Sequence, residues 1–476
     1  MRLTARDLAG AGTFDQPDGD GAAGGSPCGD QVRVQLRLGA DGQIAEARYG
    51  VIGCTAATAA AAWCAASAEG GTLLDAARLS LAKCIEEREL PEAQHACAAV
   101  ALDALAAAVA DALGALRRPL PGTRTAVAMS GGVDSAVALQ RVIERGDEAV
   151  GITLRLWIDP EAPTAARACC SPDAVRRARA TCHALGVPHV TLDARDGFRD
   201  VVVQPFLDDY QAGRTPNPCT TCNGDFRIAL LARTATLLGA RRLATGHYAR
   251  LVPHGEGSLV ARGADAAKDQ SAMLARVAPD LLGMLEFPLA DAHKRDVRIE
   301  AAEAGLEAAG AAESMDVCFL GGGDLRGFLG RHGVDLRPGA IQDADGAVVG
   351  RHGGAVAFTV GQRRGLGVAA AEPQYVRSVD AQAGIVTIAP LHRLARTTVD
   401  LTDATLHRPV SRVRARLRVH MAELGARVEP TATGLRLLLD EPAFAVAPGQ
   451  VAVLYDDDGV VVGVGTIADH PLEAAS

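Results

Sequence analysis

The chain has 476 residues, of which 48% are hydrophobic and 3% aromatic, and its formal net charge at pH 7 is −9. This length suggests several domains, since one domain has roughly 100–200 residues, and the acidic balance argues against indiscriminate binding to DNA or another polyanion. No apolar run approaches the roughly 18–20 residues of a membrane span, and the N-terminus lacks the pattern of a secretory signal. We therefore expect a cytoplasmic, multidomain α/β protein without a membrane partner.

Residues 1–116 are predicted to form a separate α+β domain. The segment 1–25 is rich in Gly and Asp and is expected to be loosely ordered. Alternating apolar and polar residues then predict two strands, and stretches with almost no helix breakers predict three helices. The predicted strands lie at 31–38 and 44–51, and the helices at 55–68, 72–87 and 91–116. Arginines and prolines in 117–123 interrupt the helical pattern and indicate a linker.

Residues 124–320 alternate between short apolar runs and helical stretches, which is typical of a doubly wound parallel sheet. The predicted strands and helices lie, in order, at 125–129, 136–145, 149–156, 172–185 and 188–192. From about residue 356 the chain consists of short β-prone runs separated by Gly, Pro and Asp, which is typical of a small barrel or sandwich. We expect a central connecting domain at 321–390 and a C-terminal small β-barrel at 391–476.

A glycine-rich loop of sequence SGGVDS, Ser130–Ser135, lies between a predicted strand and a predicted helix. Backbone N–H groups at such a loop bind anions, and the glycines let the backbone come close to a phosphate. The loop lacks the lysine of a Walker A motif, which favours cleavage of ATP between its α and β phosphates over γ-phosphoryl transfer. Asp134 would then help to hold Mg²⁺ on the phosphates.

The SGGVDS loop resembles the PP-loop of the ATP pyrophosphatase superfamily, whose members adenylate carbonyl oxygens. The resemblance leaves amidating ligases, argininosuccinate synthetases and sulfur transferases open, and a glycine turn that merely joins a strand to a helix is the structural alternative. The cysteines therefore have to distinguish between these chemistries.

Two cysteines at C-x-x-C spacing, Cys219 and Cys222, lie in a loop stiffened by Pro216 and Pro218, and Cys318 follows further along the chain. Sulfur transfer requires one thiolate that carries a persulfide and a second that attacks it. Taken alone, the C-x-x-C pair also fits a zinc half-site or a redox pair. The surrounding motifs decide between these interpretations.

The cysteine segments occur together with three further motifs, Ala244–Tyr248, Lys268–Ser271 and Gly361–Gly367. In order and spacing they resemble the tRNA-specific 2-thiouridylase family over roughly residues 124–470. The resemblance implies an enzyme that uses ATP and Mg²⁺ to thiolate uridine in tRNA. It also implies a cysteine desulfurase or another sulfur donor as a partner.

Carried over residue by residue, the resemblance implies four sets of site residues. The catalytic residues are the attacking Cys222 and the persulfide carrier Cys318. The ATP site consists of Ala128, Met129, Ser130, Gly131, Gly132, Val133, Asp134, Ser135, Leu154 and Gly246. The target base is contacted by Asn217, Pro218 and Cys219. The remaining tRNA contacts are His247, Lys268, Asp269, Gln270 and Gln450.

The chain departs from this family at two places. Many relatives carry Asp where Cys219 stands, so the chain resembles a variant in which three cysteines hold a [4Fe–4S] cluster with one open iron for sulfide. The ligands of that cluster would be Cys219, Cys222 and Cys318. Persulfide relay and cluster-bound sulfide are both open. Near His420-Met421 relatives typically carry an Arg-Tyr pair that touches tRNA.

Three cysteine segments in the first domain resemble the iron–sulfur scaffold family of the NifU N-terminal type over about residues 24–113. The resemblance implies a labile site for an iron–sulfur cluster or zinc. Its ligands would be Cys28, Asp30, Cys54 and Cys97. The family usually has His immediately before the last cysteine, whereas here Ala96 intervenes and His95 is one place away. The alternative is a small domain whose buried cysteines behave as apolar residues.

The resemblances together predict 2-thiolation of the wobble uridine U34 in tRNA, by adenylation of its C2 carbonyl oxygen and by cysteine- or cluster-delivered sulfur. A PP-loop ligase that transfers nitrogen is one alternative, but it would leave the cysteines without a use. The other alternative is an iron–sulfur scaffold or carrier protein whose PP-loop domain senses a nucleotide.

Overall fold

The computed structural model describes residues 8–25, 29–162, 171–310, 317–418 and 421–469. The chain folds into an N-terminal α+β domain, a parallel α/β domain, a small connecting sheet and a closed C-terminal barrel. The fold class expected from the sequence is therefore confirmed.

The N-terminal domain packs helices against one face of a three-stranded sheet. Its strands are β1 (Gly19–Gly24), β2 (Gln31–Leu38) and β3 (Ile44–Ile52), paired antiparallel in the order β1-β2-β3. Its helices are α1 (Thr55–Ala68), α2 (Leu73–Ala77), α3 (Leu81–Arg88) and α4 (His95–Ala115). The predicted helix 72–87 is thus two helices. The second begins after Ser80, whose Oγ accepts a hydrogen bond from the backbone N–H of Lys83 at 3.2 Å.

Strand β1 lies in a segment that was expected to be loosely ordered, and for residues 19–24 this expectation is wrong. Helix α4 packs directly on β1. A Cβ on Gly19 would lie 2.3 Å from the carbonyl oxygen of Ala108, and a Cβ on Gly21 would lie 2.1 Å from that of Ala104. The glycines therefore allow the strand and the helix to approach backbone to backbone.

From Glu92 to Ala115 the chain is long and apolar enough to cross a membrane, judged by length and composition alone. In the structure most of this segment is α4, which contacts β1, β2 and α1. Ala101, Ala104 and Ala108 are fully buried in that packing. The apolar surface of the helix is thus accounted for by the core of the N-terminal domain.

The second domain is built on a five-stranded parallel sheet. Its strands are β4 (Arg124–Ala128), β5 (Ala149–Arg155), β6 (His189–Asp193), β7 (Ala240–Thr245) and β10 (Leu285–Glu286). An antiparallel hairpin consists of β8 (Ala249–His254) and β9 (Gly257–Arg262). The sheet order β10-β7-β4-β5-β6 runs from β4 outward to β6 and then returns to β7 on the other side of β4. The strand order therefore reverses between β4 and β7, which is where doubly wound sheets bind ligands.

Helices connect these strands. They are α5 (Val133–Glu144), α6 (Pro172–Ala184), α7 (Arg195–Phe198), α8 (Gln204–Gln211), α9 (Pro218–Thr221), α10 (Ile228–Leu237), α11 (Pro279–Leu282) and α12 (Lys294–Glu303). Helix α5 begins three residues before the predicted 136–145 because Gly132 is its N-cap residue. Half of the SGGVDS loop is therefore the first turn of a helix.

Two of the helical stretches contain a π segment. Residues Arg199–Val203 join α7 to α8, and Cys222–Arg227 join α9 to α10, so that each stretch is continuous. The two π segments pack against each other. Because π segments inside helices often occur at functional sites, the position of Cys222 at the start of one is consistent with a functional role for this residue.

The connecting domain contains α13 (Leu325–Arg331) and a four-stranded sheet. The strands are β11 (Gly339–Gln342), β12 (Val348–His352), β13 (Gln374–Asp380) and β14 (Ile385–Pro390), in the order β12-β11-β14-β13. The barrel strands are β15 (Ala395–Leu406), β16 (Arg412–Arg416), β17 (Leu424–Thr431), β18 (Gly434–Phe444), β19 (Val451–Tyr455) and β20 (Val461–Ile467). They close in the order β15-β18-β17-β16-β19-β20.

The N-terminal domain packs on the β6 edge of the parallel sheet. Helices α2 and α4 contact β6, and one hydrophobic cluster continues through both domains. Asp103 on α4 accepts hydrogen bonds from Arg176 at 3.0 Å and Arg179 at 2.7 Å, both on α6. The His183 ring on α6 hydrogen-bonds the carbonyl oxygen of Ala77, and burial lowers the pKa of this imidazole. The two domains are therefore in direct contact as well as covalently linked.

We expect Gly21→Ala to lower the free energy of unfolding by about 1–3 kcal/mol, because the added Cβ pushes α4 away from β1. Gly50→Ala on β3 is the matched control, since no atom of the described residues lies within 4 Å of a Cβ at that position. Urea unfolding of both variants and the parent chain measures the difference. Equal stability of the two variants would contradict the packing role of Gly21.

Candidate functional site

The Ser130–Ser135 loop is shaped by its own hydroxyl groups. Ser135 Oγ donates to the carbonyl oxygen of Gly132 at 2.9 Å and accepts from the backbone N–H of Ser130 at 3.2 Å. Gly131 has a φ of +73°, and a Cβ there would lie 2.3 Å from the carbonyl oxygen of Ala174 on α6. Glycine is therefore required at 131 both by conformation and by space.

The loop lies at the carboxyl ends of the strands, beside the reversal between β4 and β7. A Cβ on Gly246, which follows β7, would lie 2.8 Å from the carbonyl carbon of Asp134. Ala128 ends β4, Met129 follows it, and Leu154 is buried on the adjacent β5. The fold thus brings the residues predicted for ATP to one edge of the sheet, at the topological switch point.

Asp134, in the first turn of α5, is hydrogen-bonded by Tyr248, the last residue of the Ala244–Tyr248 motif, and by Lys294, which no sequence motif marked. Lys294 Nζ lies 2.7 Å from each carboxylate oxygen, and Tyr248 Oη donates to Oδ1 at 2.7 Å. Lys294 is separated from Asp134 by 160 positions in the sequence, so only the fold brings the two together. In the structure Asp134 is the partner of a lysine, and its role toward Mg²⁺ stays a prediction.

The C-x-x-C pair lies at the beginning of the helical stretch from Pro218 to Leu237. Asn217 is the N-cap residue, and its Oδ1 accepts from the backbone N–H of Thr220 at 3.3 Å. Cys219 is exposed, whereas Cys222 is buried with 6% of its surface accessible. The predicted target-base contacts therefore form a capped helix start with one accessible thiol.

The C-terminal barrel holds the proline loop that precedes this helix. Gln450 Nε2 donates to the carbonyl oxygen of Thr215 at 2.9 Å and to that of Pro216 at 3.4 Å. The backbone N–H of Thr215 donates to the carbonyl oxygen of Pro448 at 2.9 Å. Gln450, which the resemblance assigned to tRNA, thus fixes the loop that leads into the helix of Cys219 and Cys222.

Cys318 is half-buried and opens a 3-10 turn, Cys318–Leu320. The turn is anchored by Phe319, whose ring is buried and whose carbonyl oxygen accepts from the backbone N–H of Asp159 at 3.0 Å. Asp159 is itself buried and paired with Arg331 and, at 3.5 Å, with His332. The loop after β5 therefore positions Cys318. Residues 314–316, which precede Cys318 in the sequence, lie outside the described residues.

The structure does not gather the sulfur atoms of Cys219, Cys222 and Cys318 closely enough for all three to bind one metal ion. Within the described part of the chain, the acidic, histidine and cysteine ligand atoms that gather within 4.8 Å belong to one group in the N-terminal domain. Cys219, Cys222 and Cys318 do not form such a group. A zinc half-site at Cys219 and Cys222 and a cluster with all three cysteines as ligands both stay predictions.

The other predicted tRNA contacts have partners within the protein. Gln270 Oε1 accepts from the backbone N–H of Tyr248 at 3.0 Å. His247 Nδ1 lies 2.8 Å from Thr245 Oγ1, and burial, with a smaller effect of Arg227, lowers the pKa of the imidazole to about 4. At neutral pH His247 is therefore uncharged and offers a hydrogen bond, not a positive charge, to any ligand.

Asp269 belongs to a polar cluster between the parallel domain and the barrel. Its carboxylate accepts from Ser271 Oγ at 3.1 Å and lies 3.5 Å from Arg416 Nη1. Arg416 in turn pairs with Glu423 at 3.0 Å and lies over the ring of Tyr455. Asp269 thus joins two domains. Lys268, its neighbour, is half-buried, and its backbone N–H bonds the carbonyl oxygen of Asp265.

The N-terminal domain brings Asp30, Cys54 and Cys97 together, with their ligand atoms within 4.8 Å of one another. Cys54 Sγ lies 3.3 Å from Asp30 Oδ2, and its backbone N–H donates to Asp30 Oδ1 at 2.8 Å. A Cβ on Gly53 would lie 2.3 Å from that same oxygen, so glycine leaves the space for the carboxylate. Cys28, the fourth predicted ligand, lies outside the described residues.

Burial raises the pKa of the Cys97 thiol, as do its hydrogen bonds with Asp30 and Cys54. Two thiols and a carboxylate in one buried group suit a zinc ion or an iron–sulfur cluster, so the residues fit the predicted ligand. The ring of His95 hydrogen-bonds the carbonyl oxygen of Leu90 at 3.1 Å. The His95 ring is therefore hydrogen-bonded to the backbone, and it does not belong to the ligand group.

The fold and the two cysteine sites define a class of protein, in which a PP-loop α/β domain is joined to an iron–sulfur scaffold domain. Family models agree along the chain. They match a NifU-like N terminal domain at 9–115, a tRNA methyl transferase HUP domain at 123–322, a tRNA methyl transferase PRC-barrel domain at 326–390 and an aminomethyltransferase beta-barrel domain at 393–467.

The bifunctional protein NifU/MnmA of Rubrobacter xylanophilus is 43% identical over 473 residues, which cover 96% of this chain and 96% of that protein. The tRNA-specific 2-thiouridylase MnmA of Sorangium cellulosum is 41% identical and covers 75% of this chain and 96% of its own length. That of Rhodococcus opacus is 40% identical and covers 72% of this chain and 97% of its own length. The chain belongs to the NifU/MnmA family of bifunctional proteins.

We expect Cys54→Ser and Cys97→Ser each to remove most of the Zn²⁺ that the parent chain binds, because each substitution deletes one thiolate ligand. Cys64→Ala is the matched control, since Cys64 is a buried cysteine of the same domain outside the ligand group. Metal analysis after equilibrium dialysis measures the loss.

The same dialysis tests the pH dependence. Because the raised pKa keeps the Cys97 thiol protonated at neutral pH, metal binding must release its proton, and affinity should fall as the pH is lowered from 8 to 6. Affinity that stays constant over this interval, or a loss of metal in Cys64→Ala, would contradict the assignment.

Proposed function

We propose that the chain is an ATP-dependent sulfurtransferase that thiolates position 2 of the wobble uridine, U34, in tRNA. The main support for this proposal is that one α/β domain contains both a PP-loop without a Walker lysine and the helix from Pro218 that contains Cys219. The barrel holds the start of that helix in place. The relatives named tRNA-specific 2-thiouridylase support tRNA as the substrate.

The first step is adenylation. Uridine O2 attacks the α-phosphorus of ATP as N3 loses its proton, the bond to the bridging oxygen breaks, and pyrophosphate leaves. The Ser130 and Ser135 hydroxyls and the N-terminus of α5 bind the phosphates, since the helix dipole and the free N–H groups favour anions there. Mg²⁺, when bound, would neutralise part of the phosphate charge, with Asp134 as its predicted ligand.

The second step transfers sulfur. A persulfide on Cys318 attacks C2 with its outer sulfur, the C2–O bond breaks, and AMP leaves with the oxygen. Cys222 then attacks Cys318 Sγ, so that the S–S bond breaks, the outer sulfur stays on C2, and a Cys222–Cys318 disulfide forms. A thiol reductant restores both cysteines. A cysteine desulfurase is the sulfur donor that we propose for the next persulfide.

The N-terminal domain has a place in this sequence as a local source of sulfur or of a cluster. A linked donor has an effective concentration of roughly millimolar, far above that of a free partner. The contact through Asp103, Arg176 and Arg179 supports a defined placement of the two domains. Because the sulfur-transfer step and the metal site of the N-terminal domain both need reduced thiols, we propose that the protein acts in the cytoplasm.

We expect Cys222→Ala and Cys318→Ala each to abolish 2-thiouridine in tRNA, measured by nucleoside mass spectrometry with purified protein. Both variants should retain ATP–pyrophosphate exchange with tRNA, because adenylation precedes sulfur transfer. Cys84→Ala, a buried thiol in the N-terminal domain, is the control and should thiolate normally. Wild-type thiolation by either active-site variant would overturn the mechanism, and absence of tRNA-dependent exchange in the parent chain would favour a nucleotide sensor.

We expect Cys54→Ser and Cys97→Ser to lower 2-thiouridine in cells several-fold if the N-terminal domain supplies the catalytic domain. Point variants are better than a deletion of residues 1–116, because the deletion would expose the face of the parallel domain that α2 and α4 cover. With an added persulfide donor in vitro the same variants should work at the parent rate. Unchanged 2-thiouridine in cells would refute the supply role.

A further inference from the structure

We propose that Lys294 is the cation that binds the β and γ phosphates of ATP and the pyrophosphate that leaves. This inference rests on the ATP chemistry proposed above and adds a residue that neither the loop motif nor the family resemblance assigns. The PP-loop contains no lysine of its own, and its one charged residue is Asp134. The loop therefore offers N–H groups and hydroxyls to a polyphosphate but no cation, and its carboxylate has the same sign of charge as the phosphates.

The structure supplies the missing cation from another part of the chain. Lys294 Nζ lies 2.7 Å from both oxygens of the Asp134 carboxylate. Asp134 is in the first turn of α5, the turn that would receive the phosphates. An ammonium group bonded to that turn is therefore within reach of an anion on the loop, since lysine has a long and flexible side chain.

Lys294 is held in this position by the packing of α12. It is the first residue of that helix, and its backbone N–H donates to Asp265 Oδ2 at 2.9 Å. Helix α12 is joined to α5 by two hydrogen bonds of 3.0 and 2.6 Å from Arg141 to the carboxylate of Glu300. Val297 on α12 packs in one hydrophobic cluster with residues of α5. The lysine and the loop thus belong to one packed unit.

The environment of Lys294 explains why it pairs with Asp134 before ATP binds. Its side chain is only 11% exposed, and Nζ lies 5.9 Å from the centre of the Tyr248 ring. A buried ammonium is costly without a partner, and Asp134 provides one. When phosphates occupy the loop, they offer a second set of anionic oxygens to the same ammonium, and the Asp134 carboxylate becomes available to Mg²⁺.

A purely structural role makes a different prediction. If Lys294 only neutralised Asp134, its removal would disturb the loop and weaken every nucleotide by a similar factor. If it binds the outer phosphates, its removal would weaken ATP and pyrophosphate but not AMP, which lacks them. The comparison of ATP with AMP therefore separates the two roles.

The experiment measures the Kd of ATP, AMP and pyrophosphate by calorimetry on the full chain without tRNA. We expect Lys294→Met to weaken ATP and pyrophosphate at least about tenfold, which is about 1.4 kcal/mol, with AMP unchanged. Lys294→Arg should retain most of the ATP affinity because it keeps the charge. The matched control is Arg295→Met, which removes a cation from the same helix turn at a side chain that is 84% exposed, and it should bind all three ligands normally.

An equal loss of ATP and AMP, or parent-like ATP binding by Lys294→Met, would overturn the proposal. If Lys294→Met alone does not fold, the double variant Lys294→Met with Asp134→Asn removes the unpaired carboxylate. Compared with Asp134→Asn alone, the double variant should bind ATP more weakly and AMP with the same affinity. An ATP affinity of the double variant equal to that of Asp134→Asn would overturn it as well. Since no tRNA is present, failure of the thiolation proposal would leave these results unchanged.

Discussion

The site depends on the parallel orientation of the strands in the central sheet. Parallel strands end at the same edge, so each connection that leaves a carboxyl end begins beside the others. The PP-loop follows β4, Asp159 follows β5, Gly246 follows β7 and Lys294 follows β10. Asp134 and Lys294, which are 160 positions apart, thus meet at one edge, although no local sequence signal marks Lys294. The reversal between β4 and β7 lies at that edge, which is where doubly wound sheets bind ligands.

The thiols are positioned from outside the sheet. The barrel holds the proline loop through Gln450, and the loop after β5 holds the Cys318 turn through the backbone of Asp159. Each anchor uses hydrogen bonds to backbone carbonyl oxygens, which fix a loop independently of its side chains. Of the cysteines in these segments, Cys219 is exposed, Cys318 is half-buried and Cys222 is buried. The proposed sulfur transfer therefore depends on contacts that also hold the domains together.

Helix α4 connects the cysteine site of the N-terminal domain with the phosphate loop. Its first turn contains Cys97, and further along the helix Asp103 pairs with α6. The first turn of α6 contains Ala174, whose carbonyl oxygen would lie 2.3 Å from a Cβ on Gly131 of the PP-loop. The scaffold site and the phosphate loop are thus joined by two packed helices. A fused protein with this packing presents its scaffold domain in a fixed place, which a free partner does not.

Several features could be predicted from the amino-acid sequence because they depend on local backbone preference and on motif chemistry. These include β4 and the loop after it, the parallel α/β pattern, the barrel, and the grouping of Asp30, Cys54 and Cys97. The composition of the first 25 residues was misleading, because the glycines of β1 suggested disorder. In the fold these glycines allow the close contact between β1 and α4. The pairing of Lys294 with Asp134 and the neutral state of His247 at pH 7 could be seen only in the folded chain. Pairing and burial depend on which strands are neighbours in the sheet, and the periodicity of the sequence does not specify the strand order.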